Sequence, residues 1–205
     1  MTEVNWYSVV KWCNARSEKE GLEAVYYVGG DLFKRTGVYR RGNEDSIEAK
    51  AGANGYRLPR DGEWEWVARG GVKGRGCKYS GSNDLREVGW SYENSEGKTH
   101  EVGMKQGNEL GIYDMSGNVW EWCFDQRKSA GTNRGLRGGS WFSNAYGARV
   151  SFWYVLDPTR SGNSYGFRVS RSSVSEGDEL KVKTDRVSEK AEAERLEKEL
   201  SLIHI

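Results

Sequence analysis

Apolar residues recur at helical spacing near the start of the chain, between Asn5 and Glu20. The residues on this stripe are Trp6, Val9, Val10 and Cys13. Asn5 suits the N-cap position because its side chain can accept a hydrogen bond from the free N–H groups of a first helical turn. Gly21 suits the position just after a helix, where the backbone often turns left-handed. The pattern therefore predicts an amphipathic helix that ends before Gly21.

A second apolar stripe predicts a helix over Asp61–Arg69, with the inner residues Trp64, Val67 and Ala68. Four short segments are predicted to be extended, namely Leu22–Val28, Val38–Arg40, Leu110–Met115 and Asn118–Trp122. Between Val72 and Gly107 periodic signals are few, and irregular segments of this length usually carry a function or their own packing. The sequence thus predicts mixed helices, short strands and long loops.

The stretch Leu136–Val169 follows no simple folding pattern. Phe152–Leu156 places five large apolar or aromatic residues in a row, and Ser, Gly and Asn follow after Pro158. A half-buried strand alternates, and a surface loop seldom carries Phe, Trp and Tyr consecutively. A fully buried strand also fits such a run, so periodicity leaves two interpretations open.

Composition, net charge and the length of the apolar runs each change the picture. The 205 residues include 27 Gly and 9 Trp but only 2 Pro, which is typical of a folded, loop-rich domain because disordered segments lack aromatic residues. The net charge of +1 leaves no excess of basic residues for binding nucleic acid or an anionic membrane, so no nucleic-acid partner is expected. No apolar run approaches the ~20 residues that span a bilayer, so no membrane-spanning segment is expected.

Cysteine and histidine are too sparse for the common metal centres. The three cysteines, Cys13, Cys77 and Cys123, are odd in number and far apart, which predicts neither a disulfide framework nor a CxxC site. Two histidines, His100 and His204, argue against a histidine-based centre.

The composition becomes charged and free of aromatic residues after Ser173. Thr184–Leu200 is predicted to form a solvated helix, with a short coiled coil as the alternative. We therefore divide the chain into a domain over 1–173 and a charged helical tail over 174–205. Residues 200–205, LSLIHI, resemble a translated sequencing adapter and are set apart from the fold.

Four phrases occur in an order and spacing that together are specific: GYRLPRDGEWEWVARGG (55–71), NELGIYDMSGNVWEWCFD (108–125), LRGGSW (136–141) and GFRV (166–169). They resemble the formylglycine-generating enzyme family, the sulfatase-modifying factor or FGE-sulfatase domain. The resemblance implies an α+β, C-type-lectin-like fold with short twisted antiparallel strands, two helices and long irregular loops. The family usually begins earlier, so we expect Met1 to lie inside the domain. No secretory signal follows Met1, but an exported or surface-exposed location stays open if the N-terminus is truncated.

The resemblance also implies a chemistry that two residues contradict. The family's founding activity oxidises a sulfatase cysteine to formylglycine and resembles copper chemistry on a cysteine pair shortly after the GGS motif. The matching positions are Ser143 and Ala148, which cannot supply thiolate ligands, so no copper is expected. The chain is therefore expected to be non-catalytic, and the alternative is an oxidoreductase family member that is inactive without the pair.

One metal site is implied by the same resemblance. In the family the YDMSGNVWEW turn resembles a structural Ca²⁺ site, and the matching positions are Asp114, Gly117, Val119 and Glu121. Carboxylates and turn carbonyls are the hard oxygen ligands that Ca²⁺ prefers. Alternatively, Asp114 and Glu121 only hold the turn by hydrogen bonds.

The C-terminal block also resembles the variable proteins of diversity-generating retroelements, such as the Treponema variable protein, in which adenine mutagenesis diversifies a ligand-binding face. The positions that match the diversified set are Phe142, Ser143, Asn144, Tyr146, Gly147, Phe152, Trp153, Tyr154, Val155, Leu156, Ser161, Gly162, Asn163 and Ser164. Thirteen of them have codons that adenine changes can reach from AAC or AAT, and Trp153 is reachable from AGG. Aromatic anchors mixed with Ser, Gly and Asn are typical of a paratope.

These observations predict a non-catalytic ligand binder whose ligand is an unknown protein or surface. The alternative is an ordinary family member whose block has drifted. The solvent exposure of Phe152–Leu156 distinguishes the two interpretations. Burial of this run against the Trp64 and Trp120 regions would remove the basis of the binder interpretation. Arg137, Arg149 and Arg168 belong to the constant phrases and are predicted to pair with acids or carbonyls beneath the surface.

Overall fold

The computed structural model describes residues 1–29, 37–44, 46–126 and 131–172. Its α-helices are α1 (Trp6–Lys19), α2 (Asp61–Ala68) and α3 (Leu85–Val88), and a 3₁₀ turn spans Gly71–Lys73. Its strands are β1 (Tyr26–Val28), β2 (Ile47–Ala49), β3 (Tyr56–Arg57), β4 (Trp120–Gln126), β5 (Arg134–Arg137), β6 (Trp153–Leu156), β7 (Tyr165–Gly166) and β8 (Ser170–Arg171). The predicted mixture of helices, short strands and long loops is confirmed.

Both predicted helices are present with their predicted ends. The Asn5 side chain accepts a hydrogen bond from the Ser8 backbone N–H at 2.8 Å, which caps α1. Gly21 has a φ of +70°, a left-handed conformation that ends the helix without strain. In α2, Trp64 and Ala68 are buried, as the apolar stripe predicts.

The strand predictions are confirmed only in part. β1 lies within Leu22–Val28, and Val38 forms a single bridge to Tyr27. The predicted strand over Leu110–Met115 is wrong, because this segment is a turn. Gly111 and Asp114 have φ values of +72° and +57°, which no strand accommodates.

A four-stranded sheet in the order β6-β5-β4-β7 joins distant parts of the chain. β5 pairs antiparallel with β4 and β6, whereas β7 runs parallel to β4. Because β6 is one of the two edge strands, the part of the apolar run over Trp153–Leu156 lies at the border of the sheet. Two smaller antiparallel sheets pair β1 with β2 and β3 with β8.

The main core lies between α1 and the four-stranded sheet, where Trp6, Tyr26, Trp122 and Leu136 are fully buried. A second cluster packs Trp64 of α2 against Met115, Cys123 and Val150. Met1–Arg171 forms one compact unit. In the described part of the chain, no helix is both long and apolar enough to cross a membrane. The predicted tail helix, Thr184–Leu200, lies outside the described residues.

Candidate functional site

The C-terminal block is supported from beneath by a buried arginine. Arg137 is 2% exposed, and its Nε and Nη2 donate to the two carboxylate oxygens of Asp61 at 2.5 and 2.8 Å. Nη2 also donates to Glu65 at 2.9 Å. Burial lowers the pKa of Arg137, but Asp61 and Glu65 outweigh it and hold the pKa above its ordinary value.

The same guanidinium holds the start of the edge strand. Arg137 Nη1 donates to the carbonyl oxygens of Val150 at 3.3 Å and Phe152 at 3.2 Å. Helix α2 therefore fixes the backbone on which the apolar run begins. The prediction that Arg137 is structural is confirmed.

The apolar run is partly exposed along β6. Trp153 and Tyr154 are 42% and 47% exposed, whereas Phe152, Val155 and Leu156 are half-buried. Leu156 packs against the main core. A wholly buried strand is therefore excluded, and only Trp153 and Tyr154 have the exposure that the sequence predicts for the whole run.

Aromatic rings from three segments meet beside this strand. The Tyr146 ring lies edge-on to Phe152 at 5.2 Å between centroids, and Phe152 lies 6.0 Å from Trp120. Trp120 in turn lies 5.9 Å from Tyr154. The run therefore contacts the Trp120 region, as the drifted-member alternative predicts, but none of its five residues is buried. We call Trp120, Tyr146, Phe152 and Tyr154 the aromatic face.

A cavity of about 330 Å³ opens next to the aromatic face, lined by Tyr146, Arg149, Ser151, Phe152 and Trp153. The Arg149 guanidinium lies 4.9 Å from the centre of the Tyr146 ring. The prediction that Arg149 pairs with acids or carbonyls beneath the surface is wrong, because its side chain is exposed.

The other candidate residues before β6 have mixed surroundings. Phe142 is 65% exposed, and its ring centroid lies 6.0 Å from that of Tyr92 in an edge-on arrangement. Asn144 is exposed. The Ser143 Oγ accepts a hydrogen bond from the Ser140 backbone N–H at 3.0 Å. Gly147 is buried, and its carbonyl oxygen lies 2.9 Å from where a Gly139 side chain would begin. Gly147 therefore offers little surface to a ligand, and its assignment to the binding residues stays a prediction.

The candidates after β6 form a turn that leads into β7. Ser161 and Asn163 are exposed, whereas Gly162 and Ser164 are half-buried. The Ser164 carbonyl accepts a hydrogen bond from the Trp120 backbone N–H at 2.8 Å. This turn is thus attached to the residue at the centre of the aromatic face.

Three of the four predicted calcium ligands, Asp114, Val119 and Glu121, line a second cavity of about 640 Å³ together with Arg168. Gly117 adopts a φ of +84° and packs so closely on Trp90 that a side chain there would lie 2.1 Å from the Trp90 carbonyl oxygen.

The two carboxylates of this cavity differ in what they already contact. Among the described residues, Asp114 Oδ1 is buried without a hydrogen-bond partner, while Oδ2 accepts from the Gly103 N–H at 2.7 Å. Glu121 accepts from Arg168 at 2.5 and 2.7 Å and from Trp64 Nε1 at 2.6 Å. Asp114 fits a cation, but the guanidinium beside Glu121 opposes one. The predicted structural role of Arg168 is confirmed.

The positions of the family's cysteine pair carry no sulfur, and Ala148 is buried in the core. Burial raises the pKa of the Cys13 thiol to about 12 and that of Cys123 well above its ordinary value, which makes both poor thiolates. In the described ranges, no three His, Cys, Asp or Glu side chains are grouped so as to hold a metal ion.

Sequence reasoning missed Trp120, Tyr92 and Arg149 as surface residues. Trp120 and Arg149 belong to constant phrases, and Tyr92 lies in the long irregular region. The local sequence did not indicate that these three residues lie at the surface. Their positions depend on contacts with residues distant along the chain or on the geometry of a loop.

Known proteins are similar to this chain in sequence and in fold. The sulfatase-modifying factor enzyme 1-like domain, FGE-sulfatase, matches residues 1–173. The chain belongs to this family. Among its relatives, chaperone protein LppX of Paenibacillus barcinonensis is 37% identical, over 82% of this chain and 68% of LppX.

The relatives include a protein named as an inactive formylglycine-generating enzyme and another named as a formylglycine-generating enzyme. The inactive C-alpha-formylglycine-generating enzyme 2 of Mus musculus is 33% identical, over 58% of this FGE-sulfatase chain and 44% of that enzyme. The formylglycine-generating enzyme of Streptomyces coelicolor is 29% identical, over 58% of this chain and 48% of that enzyme. The chain thus spans less than half the length of either enzyme.

Treponema denticola variable protein 1 has a similar solved structure. Its TM-score is 0.72 at 34% identity, over 82% of this chain and 69% of the variable protein. The structure of CarF also has a TM-score of 0.72, at 30% identity. The expected α+β, C-type-lectin-like fold and both resemblances are confirmed.

Proposed function

We propose that this FGE-sulfatase domain is a non-catalytic ligand binder whose C-terminal block forms a diversified surface. The observation that carries the proposal is the aromatic face with its neighbouring cavity. Its exposed members come from the diversified positions, and they rest on a framework built from the constant phrases. Tyr and Trp provide large contact area at low cost in conformational entropy, as in antibody paratopes.

The contrast between framework and surface makes the proposal testable by diversifying the chain itself. A display library randomised at Phe142, Tyr146, Trp153, Tyr154 and Asn163 should stay folded, and panning on an unrelated protein such as hen lysozyme should yield specific binders. A matched library randomised at the buried residues Trp6, Trp64, Trp122, Leu136 and Val150 should lose folding, because each large-to-small core change costs about 2–5 kcal/mol. A first library that unfolds as readily as the second would contradict the proposal.

The gene's surroundings offer an independent test. A reverse transcriptase gene and a near-copy of Leu136–Val169 that differs only at adenines would support diversification. The neighbouring DNA should be sequenced in several isolates. An identical block in all of them, with no such copy nearby, would favour the drifted family member.

The alternative is a formylglycine-generating oxidoreductase. The chain lacks the cysteine pair of that enzyme, because Ser143 and Ala148 occupy the two positions. We expect no formylglycine when the protein is incubated with copper, oxygen and a cysteine-containing sulfatase peptide. Mass spectrometry of the peptide measures the conversion, and an active family member serves as the positive control. Conversion above the protein-free background would overturn the non-catalytic assignment.

Structural calcium at Asp114, Gly117, Val119 and Glu121 stays a second, separate proposal. The buried, unpartnered Asp114 Oδ1 supports it, and the Arg168–Glu121 pair weighs against it. Calorimetry with Ca²⁺ should give heat and a higher melting temperature that Asp114→Asn abolishes. Absence of heat and an unchanged melting temperature after chelation would reject the site.

A further inference from the structure

Among the residues that the structure describes, Arg149 carries an unpaired charge on the candidate surface. Its side chain is exposed and makes no hydrogen bond or ion pair with any residue that the structure describes. Its position is nevertheless defined, because the guanidinium lies 4.9 Å from the centre of the Tyr146 ring. A short turn holds the backbone, in which the Arg149 carbonyl accepts from the Phe152 N–H at 3.0 Å. The charge is therefore placed on the surface and left available.

Two other arginines of the block, Arg137 and Arg168, show how a paired arginine is held in this fold. Arg137 lies against Asp61 and Glu65, and Arg168 donates to both oxygens of Glu121. Each fastens a carboxylate of another segment beneath the surface. Among the described residues Arg149 has no such carboxylate, so the pairing seen for Arg137 and Arg168 does not account for it.

The cavity around Arg149 suits an anionic group with an apolar neighbour. Tyr146, Phe152 and Trp153 form aromatic walls, and Ser151 is the other polar residue of the lining. Aromatic walls displace water, which strengthens a charge-assisted hydrogen bond compared with one in bulk solvent. A guanidinium stacked on a ring keeps its N–H edge free, and that fork matches the two oxygens of a carboxylate.

We propose that this cavity binds a carboxylate of a protein partner, an Asp or Glu side chain flanked by apolar residues that cover Trp120 and Tyr154. The inference rests on the proposed binding function and names the partner chemistry of the same surface. Among the described residues that line the cavity, Arg149 alone is charged, whereas nucleic acid and anionic lipid need several cations. Aromatic residues together with arginine are the side chains that dominate protein–protein hot spots.

The test uses a random dodecapeptide library displayed on phage and panned on the full chain. We expect enriched peptides to share an Asp or Glu beside an aromatic or large aliphatic residue. For one synthesised peptide, Arg149→Gln should weaken binding about tenfold or more, since a hydrogen-bonded charge pair is lost. The control Arg16→Gln should leave binding unchanged, because Arg16 pairs with Glu20 on α1 and does not line the cavity.

A double-mutant cycle then isolates the contact. Replacing the peptide's acid by its amide should weaken binding about as much as Arg149→Gln does, and combining the two changes should add little. Arg149→Gln should melt like the wild type because the side chain is exposed, so lost binding would report on the contact and not on folding.

The possible failures are distinguishable. Peptides whose binding depends on Tyr154 but not on Arg149, or that carry no acid, would overturn the carboxylate inference and leave the binding function standing. Enrichment of no peptide, or only of peptides insensitive to both Tyr146→Ala and Tyr154→Ala, would overturn both. A concentration-dependent dimer that Arg149→Gln abolishes would replace the foreign partner by a second copy of this chain.

Discussion

At the scale of single residues, three of the four arginines of the C-terminal block have separate tasks. Arg137 ties α2 to the start of β6, Arg168 fastens Glu121, and Arg149 faces outward. All three occupy constant phrases, so residue type alone suggests the same role for each. Only the position of neighbouring carboxylates distinguishes them.

Arg137→Met should lower the free energy of unfolding by about 3 kcal/mol. This is the lower end of the range for breaking a buried pair, because Asp61 and Glu65 are 21% and 29% exposed and keep some water. Urea unfolding measures the change. The matched variant Arg16→Met, from a side chain 46% exposed, should cost less than about 1 kcal/mol. If both variants lost the same free energy of unfolding, the buried ion pairs of Arg137 would not stabilise the domain more than an exposed pair does.

At the scale of elements, local signals place helix ends well and strands poorly. α1 and α2 begin and end as predicted, since caps and apolar stripes act within one helix. The failed strand over Leu110–Met115 has a local cause, because the Asn108 Oδ1 accepts from the N–H groups of Leu110 and Ile112 and folds the segment into a turn. Side chains that bond their own backbone compete in this way with strand pairing.

Acid should weaken the start of α2 through Glu63. Its carboxylate accepts from Arg57 at 2.6 Å and from the Arg60 N–H at 2.8 Å. Burial raises the pKa of Glu63, but these partners outweigh it and lower the pKa below the ordinary 4.5. The stabilisation is therefore complete above pH 4.5 and is lost as the pH falls through the lower, folded-state pKa.

Urea midpoints measured at about pH 7 and about pH 3 test this dependence. Glu63→Gln should destabilise the protein at the higher pH and lose most of that difference at the lower pH. Glu96→Gln, from a side chain 78% exposed, is the control and should show little difference at either pH. A Glu63 effect that is the same at both would show that its charge is not responsible.

At the scale of the whole molecule, the surface depends on contacts between residues far apart in sequence. β5 aligns β6 with β4, and the β4 residue Trp120 then reaches Phe152 and Tyr154. The family match covers residues 1–173. The boundary at residue 173 stays a prediction, and the tail lies outside the described residues.

A chain ending at residue 173 should therefore melt at the same temperature as the full chain, within about 2 °C, and with equal cooperativity. Differential scanning calorimetry measures both properties. A markedly lower melting temperature or a broad transition would show that residues 174–205 stabilise the domain.

The sequence by itself determined the two long helices, the family phrases and the missing sulfurs at Ser143 and Ala148, because caps, periodicity and residue identity are local properties. Tertiary structure alone decided that Gly147 is buried, that Arg149 is unpaired among the described residues and that Trp120 joins the aromatic face. These outcomes depend on strand order and loop packing across long sequence separations. The run Phe152–Leu156, ambiguous in sequence, is divided between surface and core because β6 is an edge strand.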